Sequence, residues 1–113
     1  MIKESQIMKI HYITGIIAIF VVAVHILNRV VVPFANSLEY EYIISNYHNI
    51  FYTILLEAIL ILIAIHGFNG LRIILIELRQ SRFWENTVTT VTIVAMIGII
   101  GFGTRTIILA SGM

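Results

Sequence analysis

Histidine is the residue type in this sequence best able to do chemistry, because it binds metals and exchanges protons near neutral pH. The chain has four histidines and no cysteine, so disulfides and thiolate metal sites are excluded. His66 and His25 lie within long apolar stretches, where ionisable groups are costly and usually functional. Each could ligate a haem iron or hydrogen-bond a neighbouring helix, and the surrounding residues must decide between these roles.

A glycine and an arginine follow His66 at helical spacing. On a helix, Gly70 lies one turn from His66 on the same face and leaves a notch there, which suits the edge of a flat ligand such as a porphyrin. Alternatively, His66 bonds another helix and Gly70 allows close helix packing. Arg72 is expected near the inner interface, where its guanidinium would contact a haem propionate, a quinone head group or phospholipid.

The first apolar stretch carries a second pair of histidines. His11 and His25 are fourteen residues apart, which places them within about 40° of one helix face. Arg29, one turn beyond His25, could pair with a haem propionate or extend to the outer interface. For His11, near the inner interface, a quinone or proton-transfer role competes with simple hydration. His48 is expected to be solvated.

Three apolar stretches are long enough to carry these residues across a membrane. Hydrophobic residues form 59% of the 113-residue chain, above the roughly 45–50% typical of soluble domains. The mean hydropathy is +0.99. With about 20 residues needed per crossing, the sequence predicts a single all-α domain with transmembrane helices at about residues 10–32, 50–76 and 88–109. Residues 34–49 are expected to form a polar outer connection, with Phe83 and Trp84 at the inner interface.

The charges predict an orientation and a buried ion pair. Two cation clusters must share one side of a three-span protein, and the positive-inside rule makes that side, with the N-terminus, cytoplasmic. Glu57 and Arg105, at similar depth near the outer ends of their helices, are expected to pair. A net charge of +1 is too small for nucleic-acid binding, and the first helix is expected to be retained. The cation clusters are Lys3 with Lys9 and Arg79 with Arg82.

The residues around His66 resemble a known motif. His66, Gly70, Arg72 and Glu77 match in order and spacing the second-helix motif of the small cytochrome b anchor subunits of succinate:quinone oxidoreductases, which serve succinate dehydrogenase and fumarate reductase. Residues 11–15, His-Tyr-Ile-Thr-Gly, are similar to the first-helix element of that family. By this resemblance, His66 is an axial ligand of haem b iron, and His25 falls near the place of the first-helix haem ligand in dihaem members.

The resemblance also suggests a quinone site and a second haem. Quinone is expected near His11 and Tyr12, and Tyr12 stands where quinone-binding members often have arginine. Leu78 stands where some partner anchors have a quinone-binding tyrosine. His66 and His25 would serve the iron atoms of two haems at different depths, unless a single haem is held at His66.

The resemblance implies an electron-transfer subunit of the cell membrane, inner or plasma. It would form half of a haem-binding helical bundle with a second anchor subunit and dock iron–sulfur and flavoprotein subunits on the cytoplasmic side. Two histidines on one iron leave no open position, so the haem would carry electrons. The polypeptide alone would lack succinate activity. The alternatives are a small proton-coupled multidrug-type transporter using Glu57 and a haem anchor of another membrane oxidoreductase, of formate dehydrogenase or hydrogenase type.

Overall fold

The structure, a computed structural model, describes residues 3–112, and helices account for nearly all of them. Three of these helices are long and apolar enough to cross a membrane. No strand occurs within residues 3–112, which confirms the prediction of an all-α membrane protein. The helices are α1 (Glu4–Val30), α2 (Phe34–Ser37), α3 (Tyr40–His48), α4 (Ile50–Glu77) and α5 (Arg82–Ser111).

The long helices extend beyond the apolar stretches read from the sequence. Helix α1 begins at Glu4 rather than at about residue 10, and α5 begins at Arg82 rather than at about residue 88. The additional turns are polar, so hydropathy did not include them, although a helix continues past the hydrocarbon wherever its first turn is capped. Such a cap precedes α5, where the Ser81 hydroxyl accepts from the Trp84 backbone N–H at 3.3 Å.

The polar connection between α1 and α4 is structured. Its end of the molecule is called the outer end, and the end with Glu4 and the α4–α5 turn is called the inner end, after the orientation expected from the charges. After α1 and Pro33 the connection forms α2 and α3, and α3 packs against both α4 and α5. Its apolar residues Ile43, Ile44 and Tyr47 follow helical spacing and are partly buried. A short amphipathic helix of this kind has too few apolar residues to be detected as a span.

Helix α4 is the central element and packs against α1 on one side and α5 on the other. The buried apolar residues at these contacts are small: Ala18, Ala64 and Val88. Small residues let membrane helices approach closely, and a methyl group added at Gly103 would come within 2.6 Å of the Leu60 side chain. The layer measures 51 × 25 × 24 Å, and most large apolar side chains face outward from it.

The turn between α4 and α5 is fastened by Trp84. Its indole Nε1–H donates to the carbonyl of Leu75 at 2.7 Å. That carbonyl belongs to the last turn of α4 and also accepts from the Leu78 backbone N–H at 3.2 Å. The indole therefore adds a second, shorter hydrogen bond at the end of α4 and holds it against the start of α5.

Candidate functional site

His66 on α4 and His11 on α1 form one unit at the contact between their helices. Their rings are stacked, with centroids 4.1 Å apart and planes inclined by 11°. His66 Nδ1 lies 2.9 Å from the carbonyl oxygen of His11. The two histidines are separate candidate sites in the sequence, and the structure brings them together.

Each ring rests on a glycine of the opposite helix. A methyl group at Gly15 on α1 would lie 2.8 Å from His66 Cε1. A methyl group at Gly70 on α4 would lie 3.2 Å from His11 Cε1. The flat group in the Gly70 notch is therefore the imidazole of His11, where the sequence led us to expect a porphyrin edge.

The contact with His11 fixes the tautomer of His66. A carbonyl oxygen can only accept, so His66 Nδ1 carries the proton and donates it. In the neutral ring the lone pair then lies on Nε2, which has no hydrogen-bond partner among residues 3–112. This arrangement is typical of metal-ligating histidines, whose second nitrogen is oriented by a carbonyl or carboxylate.

Helices α1 and α4 run antiparallel and in register, so a second level of aromatic residues lies further out. His25, fourteen residues after His11, lies beside Tyr52, fourteen residues before His66, with ring centroids 6.3 Å apart. At 1.5 Å per residue the two levels are about 21 Å apart along the helices. His25 and His66 are therefore too far apart to bind one iron atom.

His25 lies in an outer cleft with Arg29. The cleft has a volume of about 780 Å³ and is also lined by Pro33 and Ser37. His25 Nδ1 is buried without a hydrogen-bond partner. Arg29 donates a long hydrogen bond of 3.4 Å to the Ser37 carbonyl. A buried nitrogen without a partner and a nearby cation make the cleft suitable for a polar or anionic ligand.

Arg72 is buried at the inner end of the molecule, with only 7% of its surface exposed. Its Nη2 lies 2.9 Å from the carboxylate of Glu4, and its Nε donates to the Thr89 hydroxyl at 2.9 Å. Glu85 is 4.0 Å away. Arg72 thus joins α1, α4 and α5. Glu4 and Thr89 are not among the residues expected from the sequence, although an acid in the first turn is a possible partner for an arginine near the inner interface.

Two other candidate residues from the sequence, Tyr12 and His48, are exposed on the surface of the molecule. Tyr12 is 63% exposed and meets only the edge of the His11 ring, with centroids 6.1 Å apart. His48 is exposed, as expected. A quinone contact through Tyr12 would therefore come from the face of the chain directed toward lipid or another subunit.

The expected pair of Glu57 and Arg105 is not formed. Glu57 instead accepts a hydrogen bond of 2.6 Å from the hydroxyl of Thr104, and Arg105 is exposed. The two residues are at similar depth, as their positions suggested, but Arg105 projects from a different face of α5. The prediction of a buried ion pair was wrong because depth does not determine the direction of a side chain.

Two histidines could each offer one imidazole to a ligand: His66 at the level of His11 and His25 at the level of Tyr52. No group of three or more histidine, cysteine, aspartate or glutamate residues that could hold a metal ion occurs within residues 3–112. Haem requires only axial ligands from the protein, and the free Nε2 of His66 and the cleft around His25 and Arg29 fit that requirement. The residues present are therefore compatible with haem b.

Three helices are long and apolar enough to span a membrane, and His11 and His66 are stacked between the first two of them. These features define a multi-pass membrane protein with histidines on its spanning helices. Residues 4–102 match the model of the succinate dehydrogenase/fumarate reductase transmembrane subunit family, and the chain belongs to that family. No match to a curated protein or to a solved structure was found. Membership confirms the resemblance drawn from the sequence, implies association with other subunits of such a complex, and decides against a multidrug-type transporter.

Proposed function

We propose that this chain is a haem b-binding anchor subunit of a succinate dehydrogenase or fumarate reductase, which passes electrons between an iron–sulfur subunit and membrane quinone. The observation that carries the proposal is the orientation of His66, whose Nδ1–H is bound to the His11 carbonyl and whose Nε2 remains available. Haem supplies reversible one-electron chemistry when bound. The protein supplies an imidazole of fixed tautomer in an apolar environment.

His66 is the proposed axial ligand of an inner haem b, with the other axial histidine coming from a second anchor subunit. His25 is the proposed ligand of an outer haem, and Arg29 lies in the same cleft, where it can pair with a propionate. The separation of the two levels by about 21 Å supports separate irons. The competing arrangement has one haem at His66 and leaves His25 inside the bundle as a polar residue.

Arg72 and Gly70 act at the inner level in this proposal. Arg72 already binds a carboxylate, that of Glu4, so its guanidinium is suited to a propionate or a quinone oxygen. It also lines a cavity of about 240 Å³ that includes Asn69, whose Nδ2 is buried without a partner. Gly70 admits the His11 ring beside His66. Quinone contact at His11 and Tyr12 requires a partner subunit to cover the exposed Tyr12 face.

The charges support a cytoplasmic N-terminus in the inner or plasma membrane. Glu4 and the α4–α5 turn lie at the same end of the molecule, where they line one polar cleft with Arg79 and Arg82. The excess of cations on this side is typical of the cytoplasmic face. Iron–sulfur and flavoprotein subunits would dock at this end, next to the inner haem.

The test is the visible spectrum of the purified complex carrying His66→Ala. We expect one b-type haem signal to be abolished or strongly diminished while the chain remains inserted in the membrane. His48→Ala, at an exposed histidine of the outer side, is the matched control and should keep the full signal. A complete, six-coordinate haem complement in His66→Ala would exclude His66 as a ligand.

A further inference from the structure

One turn of α1 surrounds the ring of His66 on three sides. The His11 carbonyl accepts a hydrogen bond from His66 Nδ1 at 2.9 Å, and the His11 imidazole covers one face of the ring, with the two ring centroids 4.1 Å apart. At Gly15, any side chain would collide with the ring, since an added methyl group would lie 2.8 Å from Cε1 and 3.1 Å from Nδ1. These contacts leave the imidazole little freedom to rotate about its side-chain torsions.

The same carbonyl has another side-chain donor within reach. The Thr14 hydroxyl lies 3.0 Å from the His11 oxygen and 2.7 Å from the Ile10 oxygen, and Thr14 is buried. Because its proton is shared between two carbonyls, Thr14 competes in part with His66 for the His11 oxygen. Removing the hydroxyl would leave that oxygen more available to the Nδ1–H of His66.

We propose that Gly15 and Thr14 are positioning residues for His66: Gly15 provides the space that sets the angle of the ring, and Thr14 adjusts the hydrogen bond that sets the basicity of Nε2. The inference rests on the proposed function, in which His66 is an axial ligand. A stronger bond from Nδ1–H raises the basicity of the ligating nitrogen. A more basic ligand stabilises ferric over ferrous iron and lowers the midpoint potential of the haem.

Gly15→Ala tests the angle of the ring in the purified complex. We expect the low-spin ferric EPR signal of the haem that depends on His66 to shift its largest g value or to be lost. Gly67→Ala is a matched control beside His66, because a methyl group there meets nothing within 4 Å. Gly103→Ala controls for steric crowding, because its methyl group would meet Leu60 at 2.6 Å, away from the histidines. Both controls should keep the wild-type signal.

Thr14→Val tests the hydrogen bond with little change in shape. We expect the midpoint potential of the same haem to fall, and Thr14→Ser, which restores the hydroxyl, to return it toward the wild-type value. This substitution leaves the space at Gly15 unchanged, so it tests the role of Thr14 even where Gly15→Ala prevents assembly. A Thr14→Val complex with the wild-type potential would overturn the role of Thr14.

The outcomes separate this inference from the proposed function. If His66→Ala retains its full haem complement, the proposed function fails and the inference with it. If His66→Ala loses haem but Gly15→Ala has the wild-type EPR signal, the positioning role of Gly15 is overturned and the function stands. If Gly103→Ala shifts the signal as much as Gly15→Ala, the effect is general packing, and the positioning role is likewise overturned.

Discussion

Arg72 is the buried charge that joins the inner ends of the three long helices. Its side chain is only 9% exposed, whereas that of its partner Glu4 is 57% exposed. The cost of desolvation therefore falls mainly on the arginine, and the hydrogen bonds to Glu4 and Thr89 offset it. A buried charge retained at that cost is suited to a role beyond packing.

Arg72→Gln tests that role. We expect the variant to shift the potential of the inner haem or slow quinone reduction. We also expect the free energy of unfolding to fall by about 1.5–3 kcal/mol, the range for hydrogen bonds to charged groups. Redox titration, quinone kinetics and thermal denaturation of the purified complex measure these effects. Arg105→Gln removes an exposed arginine and should change none of them. Unaltered potential and kinetics in Arg72→Gln would leave Arg72 a purely structural residue.

The candidate residues could be identified from the sequence, but their contacts could not. Histidines and an arginine in apolar stretches indicate function by their cost alone. The stacking of His66 on His11 depends on the register between α1 and α4, and the exposure of Arg105 depends on the rotation of α5. Helices that are apolar on nearly every side carry no periodic pattern from which either could be derived.

The turn between α4 and α5 depends on one tryptophan. The indole N–H of Trp84 donates to the Leu75 carbonyl at the end of α4, beside the backbone N–H of Leu78, and Ser81 caps the start of α5. The neighbouring Phe83 is 81% exposed and lies where aromatic rings favour the membrane interface. The two adjacent aromatic residues therefore have different tasks, one within the fold and one at its surface.

Trp84→Phe separates these tasks. The variant keeps an aromatic ring but loses the donor to Leu75, so we expect it to lower the free energy of unfolding by about 1 kcal/mol. Phe83→Leu, at the exposed neighbour, should stay within about 0.5 kcal/mol of the wild type. Thermal denaturation of the purified complex in detergent measures both. Equal stability of Trp84→Phe and the wild type would show that the indole hydrogen bond contributes nothing.

The number and order of the long helices could be predicted because hydropathy measures transfer into lipid, which decides whether a helix spans the membrane. The short helices α2 and α3 could not, because α3 is stabilised by packing on α4 and α5, and α2 packs on α3; neither depends on local apolar content. The early start of α1 at Glu4 has a similar origin, since its first turn is held by the ion pair with Arg72.

Within residues 3–112, the molecule is a layer of helices without a buried core of large side chains. Its buried apolar residues, Ala18, Ala64 and Val88, lie at helix contacts, while large apolar residues cover the outer faces. In a membrane such faces are satisfied by lipid or by another subunit, because no hydrophobic effect drives helices together there. Family membership implies other subunits, and an axial ligand from a second anchor would make the haem part of that interface.

The two levels of histidines lead to the last prediction, which concerns the whole complex. With His66 and His25 about 21 Å apart along antiparallel helices, two haems would lie one above the other across the membrane. We expect about two haems per flavin in the intact complex, and about one after His25→Ala, since each iron needs its own axial histidines. His48→Ala should leave the ratio unchanged. Haem extraction with flavin quantification gives the answer: a wild-type ratio near one, unaltered by His25→Ala, would mean that His25 is a polar residue of the bundle and that electrons reach quinone through a single inner haem.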